Sequence, residues 1–321
     1  MRKVNFSDAG LEVVDAPDPV VMPGRLLVRT QAVGVGVGLL RLLAAAGGRA
    51  EPVRPGGEIV GTVVAVGAGV SGFQVGDRVG GVVFEDAYAD LVLTDPRLVA
   101  RVPREVEATA AVCLVRGGLI ALSALRAGRF APGESILVTA AASGTGHLAV
   151  QLGRALGAAR VVAAVGSPDK AAFARDCGAD GVVTYAEPSW GEPVDLVLDA
   201  AGGDLVPRGV DTLAPFGRMV AFSAGGGTVD VASLLGGMKS VIGFTIGTLN
   251  RTRPDLVDQH RAELWELLAG GALHPRRVEF GLDEIAAAVA LVASRGNLGR
   301  VVVTTGDHPT AQTVRQTGER P

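Results

Sequence analysis

The chain of 321 residues is long enough for two domains of ordinary size, each with its own core. Its 30 basic and 33 acidic residues leave a formal charge of -3 and are interspersed rather than gathered into arms, so nucleic acid and anionic membrane surfaces are not expected partners. Although 48% of the residues are apolar and the mean hydropathy is +0.36, the longest apolar runs are broken by Gly and flanked by charge. A membrane span needs about 20 unbroken apolar residues, so these runs are expected to be buried strands.

The N-terminus, MRKVNFSDAGLEVV, has Asp8 and Glu12 where an export signal would carry its apolar core, and a cytoplasmic protein is expected. Up to about residue 100, short β-branched runs (LLVRT, IVGTVVAV, DRVGGVVF, ADLVL) alternate with Gly, Pro and Asp clusters. That is the pattern of an antiparallel barrel or sandwich, interrupted by one helical segment, GLLRLLAAAGG.

From about residue 105 the texture changes. A helix, EVEATAAVCLVRGGLIALSALRAG, leads into the strand SILVTAA, the helix GHLAVQLGRALG, the strand RVVAAV, the helix PDKAAFARDCG and the strand GVVTY. The alternation continues through VDLVLDAAG, the helical DLVPRGVDTLA, and the strands GRMVAFSAG and SVIGFTIG. Short apolar strands alternating with amphipathic helices predict a doubly wound parallel α/β sheet. The chain closes with the helix PDLVDQHRAELWELLAGG, the strand RRVEF, the helix LDEIAAAVALVASRG and the strand GRVVVTT. Residues 308–321 are polar, lack aromatics and are expected to form a frayed tail.

Cys113 and Cys177 sit among small, apolar neighbours and are expected to be buried hydrophobes, with neither a disulfide framework nor a CxxC pair. His147, His260, His274 and His308 are scattered and form no HxH or HxxxH pair, so no metal site is expected.

Gly144 and Gly146 stand where the strand SILVTA turns into a helix. Amides at a helix start, free of Cβ atoms, suit a pyrophosphate, although a bare GxG in a chain with 46 glycines can equally be a tight turn. The next strand end, VVAAVGSPDK, favours the phosphate. An Asp or Glu there would meet a free ribose hydroxyl, whereas small residues followed by Ser167 and Lys170 suit a phosphorylated ribose.

Three stretches, GGEIVGTVVAVGAGVSGFQVGDRV, APGESILVTAAASGTGHLAVQLGRALGA and VDLVLDAAGGDLV, together resemble the medium-chain dehydrogenase/reductase superfamily, and within it the zinc-free quinone oxidoreductase branch with its enoyl reductases. The resemblance runs from about residue 10 to about residue 305. It implies a GroES-like β-barrel substrate domain of residues 1–117 with 249–307, and a Rossmann domain of residues 118–248 that binds NADPH. Ser143, Gly144, Thr145 and Gly146 match the pyrophosphate turn. Ser167, Lys170 and Tyr185 match the 2′-phosphate pocket. The loops at Ala200, Ala201 and Gly202, at Phe222, Ser223 and Ala224, and at Phe244, Thr245 and Ile246 match segments flanking the nicotinamide and ribose. His147, next to the turn, is expected to be packed or solvent-facing rather than a base.

The zinc-ligand positions of the metal-dependent relatives read Gly36, Gly57 and Arg116, and the second-lobe cysteines are also missing, so no metal is implied. Glu58 survives from the relatives' GHE motif and is expected to pair with a nearby Arg or with amides. The branch's usual Asn and Tyr read Gly36 and Arg41. With that proton donor replaced, either solvent protonates an enolate whose oxyanion Arg41 or Arg116 stabilises, or the substrate is a specialised one. The implied activity is NADPH-dependent reduction of a quinone or an α,β-unsaturated ketone or thioester, apolar or aromatic in view of LLRLLAAAGG. The Ala/Gly/Arg-rich composition adds an association with secondary metabolism. The alternative is a non-redox relative that keeps the nucleotide fold: a cyclase, a structural protein or a regulator. The apolar edge SVIGFTIG points to a homodimer.

Overall fold

The computed structural model of the chain describes residues 1–7, 10–46, 53–222 and 225–306. In chain order, the hairpin β1 (Arg2–Ser7) and β2 (Gly10–Asp15) precedes β3 (Leu26–Val35), α1 (Val37–Ala46), β4 (Gly57–Val66), β5 (Arg78–Val83), β6 (Leu91–Thr94) and β7 (Val99–Arg101). A helix then runs as α2 (Ala108–Val112), a π turn (Cys113–Gly118) and α3 (Leu119–Ala127). The alternating part follows: β8 (Ser135–Thr139), α4 (Gly146–Ala155), β9 (Arg160–Val165), α5 (Ala171–Asp176), β10 (Gly181–Thr184), β11 (Val194–Asp199), α6 (Leu205–Asp211), β12 (Leu213–Ala221), α7 (Ala232–Leu235) and β13 (Ser240–Gly243). The chain closes with α8 (Ile246–Thr252), α9 (Pro254–Ala269), β14 (Arg277–Gly281), α10 (Ile285–Ala293) and β15 (Arg300–Thr304).

Two compact units result, one of Met1–Arg116 with the segment from Arg276, the other of Gly117–Pro275. The segment 249–275, expected with the first unit, clusters with the second, because α9 packs on α3 and α8. The expected tail, 308–321, lies outside the described residues.

The first unit is the GroES-like body. Its large sheet has the order β14-β15-β3-β4-β5-β7, with β6 paired to β3. All its pairings are antiparallel except β14 with β15. The period of two is plain in β3, where Leu26, Val28 and Thr30 are buried and Arg29 and Gln31 are exposed. Val28, Val33, Ile59, Val63, Val79 and Val301 form its core with Phe6 and Tyr88, whose rings meet edge-on at 5.6 Å.

The second unit is the Rossmann body. Six parallel strands run in the order β10-β9-β8-β11-β12-β13, so the direction of winding reverses between β8 and β11. Ile136, Leu137 and Val138 on β8 and Leu196, Val197 and Leu198 on β11 are all buried, as strands covered by helices on both faces must be. The expected strand SVIGFTIG is cut short. Pairing with β12 ends at Gly243, and the Thr245 hydroxyl accepts the Thr248 amide at 3.1 Å, an N-cap that starts α8. Ala108–Ala127 is long and apolar enough to cross a bilayer, but 78% of its most apolar window is buried, as in a core helix. Both cysteines are buried, and burial pushes the Cys113 thiol up to about 12.

α9 is pinned to α3 by a buried contact between Ser123 Oγ and His260 Nδ1 at 2.8 Å, beside the Arg126–Glu263 ion pair. Burial lowers the His260 pKa, helped by Arg126 and opposed by Glu263. The unfolded chain therefore binds more protons at this group, so its contribution to stability is complete above the unfolded value of about 6.5 and is lost as the pH falls through the folded value. The urea midpoint is expected to fall between pH 7.5 and pH 5.5, and His260→Gln is expected to flatten that slope; equal slopes in the two proteins would contradict this assignment.

Candidate functional site

Each unit contributes a cluster, and the nucleotide candidates come first. In a doubly wound sheet the carboxyl ends of the strands form the binding edge, centred on the point where the winding reverses. Ser143 to Gly146 follow β8, Ser167 and Lys170 follow β9, Tyr185 follows β10, Ala200 to Gly202 follow β11, Phe222 follows β12, and Phe244 to Ile246 follow β13. All six strand ends carry a candidate. Ser223 and Ala224 lie outside the described residues.

The turn after β8 is tightly built. Ala140 adopts a positive φ of 50°, its amide donates to the Tyr185 hydroxyl at 2.7 Å, and its carbonyl accepts the Ser143 amide at 2.9 Å. Ser143 Oγ accepts the amide of Gly146, the first residue of α4, at 3.0 Å. A Cβ on Gly146 would collide with the Ala140 carbonyl, which is why this position must be Gly. His147 is packed rather than solvent-facing: it is fully buried, with Nδ1 2.9 Å from the Ser143 carbonyl and its ring against Phe173. The switch point is closed by Thr139, whose hydroxyl donates to Asp199 Oδ1 at 2.8 Å and accepts the amides of Ala200 and Ala201. Asp199 Oδ1 in turn accepts the Gly202 amide at 3.1 Å.

At the end of β9 the residue is Gly166, and the half-buried Ser167 and Lys170 flank the exposed Asp169. The Ser167 hydroxyl holds the Asp169 carboxyl below its ordinary range, with Lys170 adding to the effect. Arg208, unremarked in the sequence, donates to the Tyr185 carbonyl at 2.5 Å and lies 4.5 Å over the Trp190 ring. The donor set fits a phosphorylated dinucleotide: a glycine turn opening a ten-residue helix, with a hydroxyl and an ammonium where an acid would serve a free ribose.

The second cluster lies in the first unit. Glu58, on β4 and 3% exposed, pairs with Arg300 at the start of β15 through Oε1, and with Arg116 through Oε2 at 3.5 Å. Arg116 sits in the π turn; inserting a residue in a helix re-aims the side chains around it. Burial lowers the pKa values of both arginines, that of Arg300 to about 10. The Tyr88 hydroxyl donates to the Gly34 carbonyl at 3.0 Å, and burial pushes its pKa up, Arg116 opposing.

Glycine makes this packing possible. A Cβ on Gly34 would collide with Glu58, and one on Gly36 would stand 3.0 Å from Arg300 Nη1. Gly36, Glu58 and Arg116 are thus brought to one place. Arg41 is not: it stands on the exposed face of α1, outside the cluster. Sequence reasoning missed Arg300 and Tyr88. Tyr88 is one of only two tyrosines, a weak signal, and Arg300 has no local signal at all.

At the positions where the resemblance implies zinc ligands stand Gly36, Gly57 and Arg116, with the Arg300 guanidinium beside Gly36, and among the described residues no three of His, Cys, Asp and Glu come together as a ligand set.

The chain matches two family descriptions, an alcohol dehydrogenase GroES-like domain over residues 22–104 and a zinc-binding dehydrogenase over residues 144–261. It is 31% identical to a mouse quinone oxidoreductase-like protein 2 over 306 residues, covering 90% of this chain and 87% of the relative. It is 30% identical to a bovine prostaglandin reductase-3 over 335 residues, covering 93% and 86% of the two chains. A solved quinone oxidoreductase from Thermus thermophilus, also studied in complex with NADPH, superimposes with a TM-score of 0.79 at 30% identity, covering 95% of this chain and 100% of that one.

Glu58→Gln removes the one anion between two guanidinium groups and leaves Arg300 buried with its charge unpaired. Breaking such a pair is expected to lower unfolding free energy in urea by about 3 kcal/mol; a loss under about 1 kcal/mol would show that the pair is not what holds Arg300.

Proposed function

Since the chain belongs to the medium-chain dehydrogenase/reductase superfamily, in its quinone oxidoreductase and enoyl reductase branch, we propose that it uses NADPH to reduce a quinone or an α,β-unsaturated ketone or thioester, without zinc. The observation that carries the reading is the row of six strand ends in the parallel sheet, each bearing a nucleotide candidate, with Gly166, Ser167 and Lys170 in place of a ribose-binding acid. Relatives and neighbours named as quinone oxidoreductases and as a prostaglandin reductase support the substrate class.

The chemistry follows from what each cluster can do. NADPH, when bound, supplies a hydride. The turn from Ser143 to Gly146 takes the pyrophosphate at the start of α4, and Lys170, Ser167 and Tyr185 take the 2′-phosphate. Ala200 to Gly202, Phe222 and Phe244 to Ile246 flank the ribose and nicotinamide. The substrate in this reading is already electrophilic, since among the described residues of the first unit no His, Cys, Asp and Glu are grouped to hold a metal that would ionise an alcohol. When hydride reaches the conjugated carbon, the C=C electron pair moves toward the carbonyl and an oxyanion develops. Arg116 meets that charge in a half-exposed position beside Glu58. Water then supplies the proton, in the absence of the branch's usual tyrosine. Arg41, exposed on α1, stands outside that cluster, which leaves the oxyanion to Arg116 in this reading.

We further propose that β13, the edge of the Rossmann sheet, pairs with that of a second copy, since its outer side carries unpaired backbone groups and half-buried Val241 and Ile242. Light scattering at micromolar concentration is expected to give twice the chain mass; the mass of one chain would contradict the pairing.

The cofactor reading is tested on Lys170→Ala. Its kcat/KM for NADPH is expected to fall about tenfold while that for NADH holds, as loss of one charge-assisted contact to the 2′-phosphate requires. The assay follows NADPH absorbance against quinones, enones and enoyl thioesters. Nucleotide binding without turnover on any of them would favour the non-redox relative, whether cyclase, structural protein or regulator.

A further inference from the structure

In the cluster around Glu58, two guanidinium groups share one carboxylate, leaving an excess positive charge. Arg300 is only 15% exposed and its partner Glu58 3%, so water screens this charge weakly. Arg116 is 47% exposed and gives the cluster its open side. Arg300 adds a second approach: Nη2 faces Glu58, while Nη1 faces Gly36, where a Cβ would stand 3.0 Å away. Nη1 has no carboxylate or carbonyl partner among the described residues. A side chain at position 36 would stand against this edge, and Gly places no atom there.

We propose that Arg116 and Arg300 together form an anion seat for the carbonyl oxygen of the substrate as it becomes an enolate or quinol oxyanion, with Glu58 fixing both guanidinium groups and Gly36 keeping the seat open. This rests on the reductase reading given above. The electrons balance without a metal. The hydride pair forms a C–H bond at the conjugated carbon, the C=C pair moves to give C–O⁻ at the seat, NADP⁺ is the oxidised product, and a solvent proton completes the reduced substrate. A fixed, poorly solvated cation pair suits this step, because its charges are in place before the oxyanion forms. Arg300 and Arg116 then take the electrostatic part that a metal takes in zinc-dependent relatives. This also accounts for a glycine where the branch carries Asn: a side chain there would stand against Arg300.

The seat also has the chemistry to receive a phosphate, and the test separates the two sources. The probe is 2,4-dinitrophenolate, a planar oxyanion ionised at neutral pH, with uncharged 1,3-dinitrobenzene as control; each is titrated by tryptophan fluorescence against the NADP⁺-loaded protein. Arg116→Gln and Arg300→Gln are each expected to weaken phenolate binding about tenfold, to change binding of the neutral control less than about twofold and to leave the Kd for NADPH unaltered. Arg300→Lys, which keeps the charge, is expected to recover most of the loss. Gly36→Ala, which places a methyl group over Nη1, is expected to weaken the phenolate as well, and it keeps the question answerable if Arg300→Gln does not fold. Phenolate binding unchanged in Gly36→Ala and Arg116→Gln would overturn the seat. So would weaker NADPH binding in Arg300→Gln with phenolate unaffected, which would assign the cations to a cofactor phosphate. If the native protein binds no NADPH, the reductase reading fails, and the phenolate titration run without nucleotide still decides whether the seat exists.

Discussion

Arg300 carries its charge inside the protein, and Glu58 is the carboxylate that meets it. A buried guanidinium without an anion is costly enough that the surrounding backbone must serve the pair. Gly34 and Gly36 have no side chains because Glu58 and Arg300 occupy that space, and Tyr88 holds the Gly34 carbonyl from the far side. The π turn then brings Arg116 to the second oxygen of Glu58. The chemical character of this cluster, one carboxylate between two guanidinium groups, follows from that one ion pair.

The second unit depends instead on how its backbone groups are satisfied. At the switch point Thr139 and Asp199 absorb the amides of Ala200, Ala201 and Gly202, so the chain after β11 turns sharply without leaving buried donors unpaired. Tyr185 does similar work for the strained Ala140, whose amide it accepts. Its hydroxyl therefore joins two strand ends, β8 and β10, and ties the glycine turn to the proposed 2′-phosphate pocket.

Much of this architecture was legible in the sequence, because burial on both sides of a parallel strand demands continuous apolar runs and the period changes sharply near residue 105. The GroES-like strands were legible too, through β-branched alternation. Three things were not. β1 and β2 carry Lys3, Asn5 and Glu12 among their apolar residues, and the hairpin is apparent only once the strands pair. SVIGFTIG is largely apolar and β-branched, yet Thr245 caps a helix there, a case where one hydrogen bond outranks propensity. Arg300 stands 242 positions from Glu58, and no local pattern announces a contact of that range. The nucleotide candidates were readable because they belong to contiguous turns, whereas the cation cluster is assembled from β4, the π turn and the last strand.

In the proposed reaction this chain moves a hydride from NADPH to carbon. The most direct measurement is a reduction of an α,β-unsaturated ketone with NADPH deuterated on either face of C4, with the product followed by NMR. Deuterium from one face is expected at the β-carbon alone, with the α-carbon protonated from solvent. Unchanged NADPH with quinones, enones and enoyl thioesters alike, or deuterium at neither carbon of a reduced ketone, would contradict hydride transfer.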